Sequence, residues 1–233
     1  MLKTAEKITH NGIELETTGQ NLQNLLQKEW LLTNSRGGFA CGTAIGCNTR
    51  RYHGLLTGSL TPPAKRVVSL ANCFESIVIN NRTIDLSTFE FDAKFYPLGF
   101  NRITHFSKDT GVHFNYNLDF VEMTKSIYLL PDADAAAIVY NFVDVQQEFE
   151  LNIRPLVALR DFHSLQKSFS NLYCRWEADG VLIKTADNYQ ENLFLRSDNM
   201  WFEQIEQWWY NFLYRAEKQR GQEYFEDLFS PGV

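Results

Sequence analysis

From Val112 to Phe120 apolar and polar residues take turns. Val112, Phe114, Tyr116, Leu118 and Phe120 fall on one side, and His113, Asn115, Asn117 and Asp119 on the other. Side chains of a strand project to alternate sides, so the pattern predicts a β-strand with one buried face. "SIVINNRTIDL" reads as two short strands joined at Asn80-Asn81, residues that tolerate the positive φ angles of a tight hairpin. "LYCRWEADGVLIKT" repeats that design with Asp179-Gly180 at the turn. "AAAIVYNFVDV" and "EFELNIRPLVAL" add two strand candidates, and Pro155, which has no N–H, marks the end of the second as an edge or a bend. Many short strands separated by Gly, Asn and Asp, with no βαβ alternation, predict a mainly β fold: a large antiparallel β-sandwich with a few short helices. No linker rich in Pro, Gly or Ser divides the chain and no repeat is visible, so residues 1–233 are expected to form one domain.

Two segments carry helical spacing. Leu22, Leu25 and Leu26 suggest a short amphipathic helix before Trp30. Ile205, Trp208, Trp209, Phe212, Leu213 and Ala216 would gather on one helical stripe, although Trp208, Tyr210, Phe212 and Tyr214 of the same stretch also fit strand alternation. On either reading these aromatics are expected to pack.

Composition narrows the class. With 44% hydrophobic and 21% charged residues the chain reads as a soluble globular protein. The net charge of −6 and the scattered basic residues disfavour a nucleic-acid partner, which requires a concentrated basic face. The start, "MLKTAEKITHNG", has no apolar run of signal-peptide length, and no stretch approaches the ~18 apolar residues of a membrane span, so a cytoplasmic location is expected. The four cysteines, Cys41, Cys47, Cys73 and Cys174, form no C-x-x-C pair and are expected to be buried thiols, with neither a metal nor a cofactor.

Candidate chemistry concentrates in two places. "GCNTRRYHGLL" sets Arg50, Arg51, Tyr52 and His53 side by side. If extended, Arg50 and Tyr52 face one way and Arg51 and His53 the other. Guanidinium donors suit carboxylates and sugar hydroxyls, so an arginine here either locks a loop through a carboxylate such as Asp161 or Glu75, or lines a polar pocket. "ALRDFHSLQ" brings Arg160, Asp161 and His163 within four residues. A carboxylate near a histidine can support acid–base work, but no nucleophile motif accompanies this one. "SRGGFACGTAIG" has the glycine spacing of a phosphate loop, with Thr43 where the lysine belongs, so its glycines are assigned to turns and close backbone approach.

Several segments together resemble a known family. "EWLLTNSRGGFACGTAIGCNTRRYHGLL", "PPAKRVVSLANCFESI", "RPLVALRDFHSLQ" and "RGQEYFEDLFSPGV" are similar to the N-terminal domain of bacterial and archaeal glycogen debranching enzymes, the amylo-α-1,6-glucosidase type, from about Trp30 to Val233. The resemblance implies a β-sandwich of the galactose-mutarotase-like supersandwich kind, followed in the family by an (α/α) barrel whose carboxylates hydrolyse α-1,6 branch points. That barrel is absent from the present chain, and no carboxylate here maps onto its catalytic pair. The implied partners are an α-glucan (glycogen or a malto-oligosaccharide) and the C-terminal catalytic barrel. The implied glucan contacts are Arg50, Arg51, Tyr52 and His53, with Arg160, Asp161 and His163 as a second loop, none of them catalytic. Two other readings stand beside this one. One is a purely structural brace for the barrel. The other is a stand-alone mutarotase, which requires His53 or His163 to meet Glu75.

Overall fold

The computed structural model describes residues 13–92, 94–186 and 191–233. The opening segment read above for a leader, residues 1–12, lies outside them.

The fold is antiparallel β throughout, as the alternation predicts. One sheet runs β1 (Ile13–Glu16), β9 (Ile103–Lys108), β10 (Val112–Leu118), β11 (Val121–Leu129), β12 (Ala136–Val143) in spatial order. The larger sheet is ordered β17 (Gln204–Leu213), β18 (Phe225–Gly232), β13 (Glu150–Asp161), β5 (Ala64–Ile79), β4 (Gly54–Thr61), β3 (Phe39–Thr43), β2 (Glu29–Thr33), with β6 (Arg82–Asp85) also on β5. A three-stranded sheet, β14 (Leu172–Glu177), β15 (Gly180–Thr185) and β16 (Asn192–Arg196), and a ribbon of β7 (Thr88–Phe91) and β8 (Lys94–Leu98) complete it. Among the described residues there are two α-helices, α1 (Leu22–Leu25) and α2 (Arg215–Gln219), of about one turn each.

The main core lies between the two large sheets. In β10, Val112, Phe114, Tyr116 and Leu118 are buried and join Leu70, Ile77 and Val157 of the larger sheet. Successive residues of β13 serve opposite faces. Val157 and Leu159 enter the main core, while Leu156 and Ala158 enter a second cluster with Val68, Phe89, Phe212 and Leu228. A sheet buried on both faces has little polar alternation, and β5 shows this as an almost unbroken buried run.

One charged pair crosses the main core. Lys125 of β11 donates to Glu75 of β5, which also accepts from Tyr140 Oη at 2.8 Å and Ser87 Oγ at 2.9 Å. Removing one member of such a pair strands a buried charge, so it fixes how the sheets meet more than how strongly they attract.

The predicted hairpins form. Asn80 and Asn81 both take positive φ, 49° and 60°, between β5 and β6. In the β14–β15 hairpin Glu177 faces Gly180, so Ala178-Asp179 make the turn and Gly180 opens the next strand. A Cβ on Gly180 would stand 2.2 Å from Leu195 O of β16, which is why glycine is required there. In the rejected phosphate loop, Gly37 makes a turn at φ 86°, and Gly42 leaves room for the Trp30 ring. Burial pushes the Cys41 and Cys73 thiols up to about 12, and all four cysteines are free.

Three expectations are corrected. The stretch expected as a helix over Ile205–Ala216 is strand β17 as far as Leu213, with register shifts after Gln204 and Trp209 and a positive φ at Asn211; only Arg215 and Ala216 at its end are helical, in α2. Trp208 packs against the main core and Trp209 against the second cluster, so neighbouring residues are both half-buried and mimic helical spacing. Pro155 lies inside β13 opposite Cys73, and β13 is flanked by β5 and β18, so it is not an edge strand. The register does slip just beyond the proline, between Leu156 and Val157. Residues 50–53 are not extended either, because His53 N–H donates to Arg50 O at 3.1 Å and closes a turn.

Candidate functional site

The turn sends Arg50 and His53 to one carboxylate, Arg51 to a second, and Tyr52 to His163. Arg50 and His53 converge on Glu29 of β2, with Arg50 Nε at 2.7 Å and His53 Nε2 at 3.5 Å from Glu29 Oε1. His53 Nδ1 accepts from Thr49 N–H at 3.1 Å, which places the ring proton on Nε2, facing Glu29. Burial lowers the His53 pKa, against the pull of Glu29, and the imidazole is neutral at pH 7. The His53 hydrogen bond, opposed by burial and helped by Arg50, holds the Glu29 carboxyl down at about 2.

Arg51 turns toward α2. Its Nη1 donates to His163 O at 2.7 Å, and its Nη2 donates to Gln222 Oε1 at 2.6 Å and lies 3.3 Å from Glu217 Oε2. Glu217 is fully buried, also accepts from Arg51 N–H, and takes Arg220 Nη2 at 2.6 Å. Arg51 Nε is buried without a hydrogen-bond partner.

Arg160, near the end of β13, makes the deepest lock. It forks onto both oxygens of Glu226 in β18, and its Nη2 also donates to Arg51 O at 2.8 Å. Glu226 further accepts from Gln166 N–H at 2.7 Å and from Tyr214 Oη. Burial works against the Arg160 charge, and Glu226 more than offsets it, raising its pKa. These contacts tie the 50–53 turn and the loop after β13 to the last strand.

An aromatic surface sits on top of the locks. Tyr52 Oη is 3.3 Å from His163 Nδ1. The Phe162 ring centroid lies 3.9 Å from that of His163 and 5.7 Å from that of Tyr52, and the Arg66 guanidinium covers the Phe162 ring at 5.7 Å. Asp161 borders the patch, its Oδ1 accepting from His163 backbone N–H at 2.8 Å. The Asp161 carboxylate therefore shapes the loop and does not hydrogen-bond the imidazole as an acid–base pair would.

The structure thus brings the seven sequence candidates into one neighbourhood but at different depths. His53 and Arg160 are buried, Arg51 is mostly enclosed, Arg50 and Tyr52 are half-buried, and Asp161 and His163 are exposed. The carboxylates that hold the arginines are Glu29, Glu217 and Glu226, not Asp161 or Glu75. Glu75 is occupied by Lys125, Tyr140 and Ser87, so the pairing with His53 or His163 that mutarotase chemistry would need is not formed. Phe162 was missed in the sequence, although its place between Asp161 and His163, an aromatic inside a polar knot, was the available signal. Among the described residues no three His, Cys, Asp or Glu side chains are grouped to hold a metal ion, and no helix is long and apolar enough to cross a membrane.

Comparison with known proteins adds one finding. The profile of the family described as "Glycogen debranching enzyme N terminal" matches residues 28–233. Neither curated proteins nor solved structures gave a significant match. The matched span takes in every strand from β2 onward together with the Arg50–His53 turn, the Arg160–His163 loop and their three carboxylate anchors, and so the chain belongs to the glycogen debranching enzyme N-terminal family.

Proposed function

We propose that this β-sandwich, taken as one domain over residues 1–233, is a non-catalytic cytoplasmic module. In this reading it helps bind and position an α-glucan, glycogen or a malto-oligosaccharide, for hydrolysis of α-1,6 branch points by a C-terminal (α/α) barrel. Family membership supports the setting. The observation that carries the sugar-binding part is the surface cluster of Tyr52, Phe162 and His163 bordered by Asp161. Aromatic faces pack on the apolar face of a pyranose ring, and an exposed carboxylate and imidazole offer partners to its hydroxyls. Within this reading Tyr52, Asp161 and His163 touch sugar. Arg51 and Arg160 act as positioning residues through His163 O and Arg51 O, and Arg50 and His53 hold the turn through Glu29.

Calorimetric titration with maltoheptaose tests it. The wild type should bind saturably, and Tyr52→Ala and His163→Ala should each weaken binding about tenfold, equivalent to ~1.4 kcal/mol. Absence of heat up to about 10 mM sugar would refute glucan binding by this domain. It would favour the brace reading, which the buried Arg51–Glu217 and Arg160–Glu226 locks support because they stiffen the fold with no ligand.

A further inference from the structure

On the second face of the large sheet Arg154 of β13 stands directly across from Phe74 of β5. Phe74 packs against Trp209 of β17 at 5.2 Å between ring centroids. Arg154 Nη1 donates to Ser230 Oγ at 3.3 Å. With the Gln207 amide oriented to satisfy its neighbours, its oxygen accepts from Arg154 Nη1 at 3.1 Å and from Trp209 Nε1 at 2.7 Å. Arg154, Phe74, Gln207 and Trp209 are all half-buried.

These contacts use the two hydrogens of Nη1. The other edge of the guanidinium, Nε and Nη2, has no hydrogen-bond partner among the described residues and is not shut away from solvent. That edge is the planar fork that matches two oxygens of one oxyanion. Arg160 and Arg215 fill the same edge with a carboxylate, Glu226 and Glu90, while Arg36 and Arg51 each reach one, Asp134 and Glu217, through a single nitrogen. Arg154 has no carboxylate within 4 Å among the described residues. Burial lowers its pKa, and Glu203, the acid that acts on it, does not restore the value. A half-buried cation of this kind gains from an anion that completes its fork, and the aromatic wall beside it suits a ring with an apolar face.

We propose that Arg154, with Phe74 and Trp209 as the wall and Gln207 and Ser230 as positioning groups, binds the phosphate of a phosphorylated sugar. The site shares no residue with the Tyr52 patch and does not depend on glucan binding there. Trp209 reports on it directly. Intrinsic fluorescence and calorimetry on the full chain are followed with glucose 6-phosphate, inorganic phosphate, glucuronate and glucose, using the wild type, Arg154→Lys and Arg154→Gln. Saturable binding of glucose 6-phosphate is expected, at least tenfold weaker in Arg154→Lys, which keeps the charge but loses the fork, and absent in Arg154→Gln. Glucose is expected to be silent, and inorganic phosphate and glucuronate weaker than the sugar phosphate. Thermal midpoints of both variants within about 3 °C of wild type would show that the loss is one of binding. The proposal is overturned by no saturable binding to the wild type, by binding retained in Arg154→Gln, or by glucuronate binding better than glucose 6-phosphate. Inorganic phosphate binding as tightly as glucose 6-phosphate would overturn the sugar part of the assignment.

Discussion

Replacing Glu226 by Gln tests whether the Arg160 lock is what holds the candidate surface in place. Glu226 is fully buried and accepts from four donor atoms: Arg160 Nε and Nη2, Gln166 N–H and Tyr214 Oη. An amide of the same shape retains one carbonyl oxygen but removes the charge, and its NH₂ opposes donors that had faced oxygen. Arg160, itself buried, is left as an uncompensated cation. Breaking one side of a buried pair costs about 3–5 kcal/mol, which lowers the thermal midpoint of a domain this size by about 6–20 °C. Arg160→Met should cost a similar amount by stranding Glu226. The double variant Arg160→Met/Glu226→Gln removes both charges, so its loss should fall at least about 2 kcal/mol short of the sum. Urea unfolding of the four proteins in the cycle measures this. A Glu226→Gln loss under about 1 kcal/mol, or strict additivity in the double variant, would refute the claim that the pair is a lock.

Two further perturbations follow from the geometry. Glu29 has a folded pKa of about 2 against an ordinary value of 4.5, so its contribution is complete above pH 4.5 and is lost as pH falls toward 2. Because its side chain is 35% exposed, screening reduces that contribution to about 1 kcal/mol; Glu29→Gln should lose this at pH 7 and almost nothing at pH 2.5, and an equal loss at both would reject the His53–Arg50 explanation. Gly180→Ala places a methyl against the Leu195 carbonyl and should cost about 1–3 kcal/mol. Hydrogen exchange should quicken at Val181 and Leu193 while Ile77 stays protected, and unchanged exchange would mean that β16 yields freely.

What could be read in the chain depended on how many faces each strand buries. β10 is buried on one face only, and its alternation gave both the strand and the correct side of every residue. The Asn80-Asn81 hairpin was legible because two adjacent residues able to hold positive φ are a local signal. β17 was not, because Trp208 and Trp209 pack half-buried on opposite faces and two register shifts break the period of two. The polar motifs were found as motifs, but their geometry was hidden. A turn at Arg50–His53 reversed the expected facing, and the anchoring acids are remote in sequence, with Glu217 lying 166 residues from Arg51. No local pattern marks a carboxylate whose partner is that distant. The half-filled fork of Arg154 was equally silent, since it arises only when β13, β17 and β18 lie side by side.

That remoteness sets an order of events during synthesis. Arg51 leaves the ribosome 166 residues before Glu217, an interval of roughly 10–30 s at ordinary translation rates. Arg160, made within that interval, waits 66 residues for Glu226. Throughout that time β2 to β5 have their sequence neighbours available, yet the Arg50–His53 turn has nothing to close against except Glu29. A nascent chain stopped before Phe225 carries both polar motifs and Glu217 but lacks Glu226, the buried anchor in β18. The aromatic patch is therefore a late product of the chain, and its appearance marks the moment at which the last strand has docked.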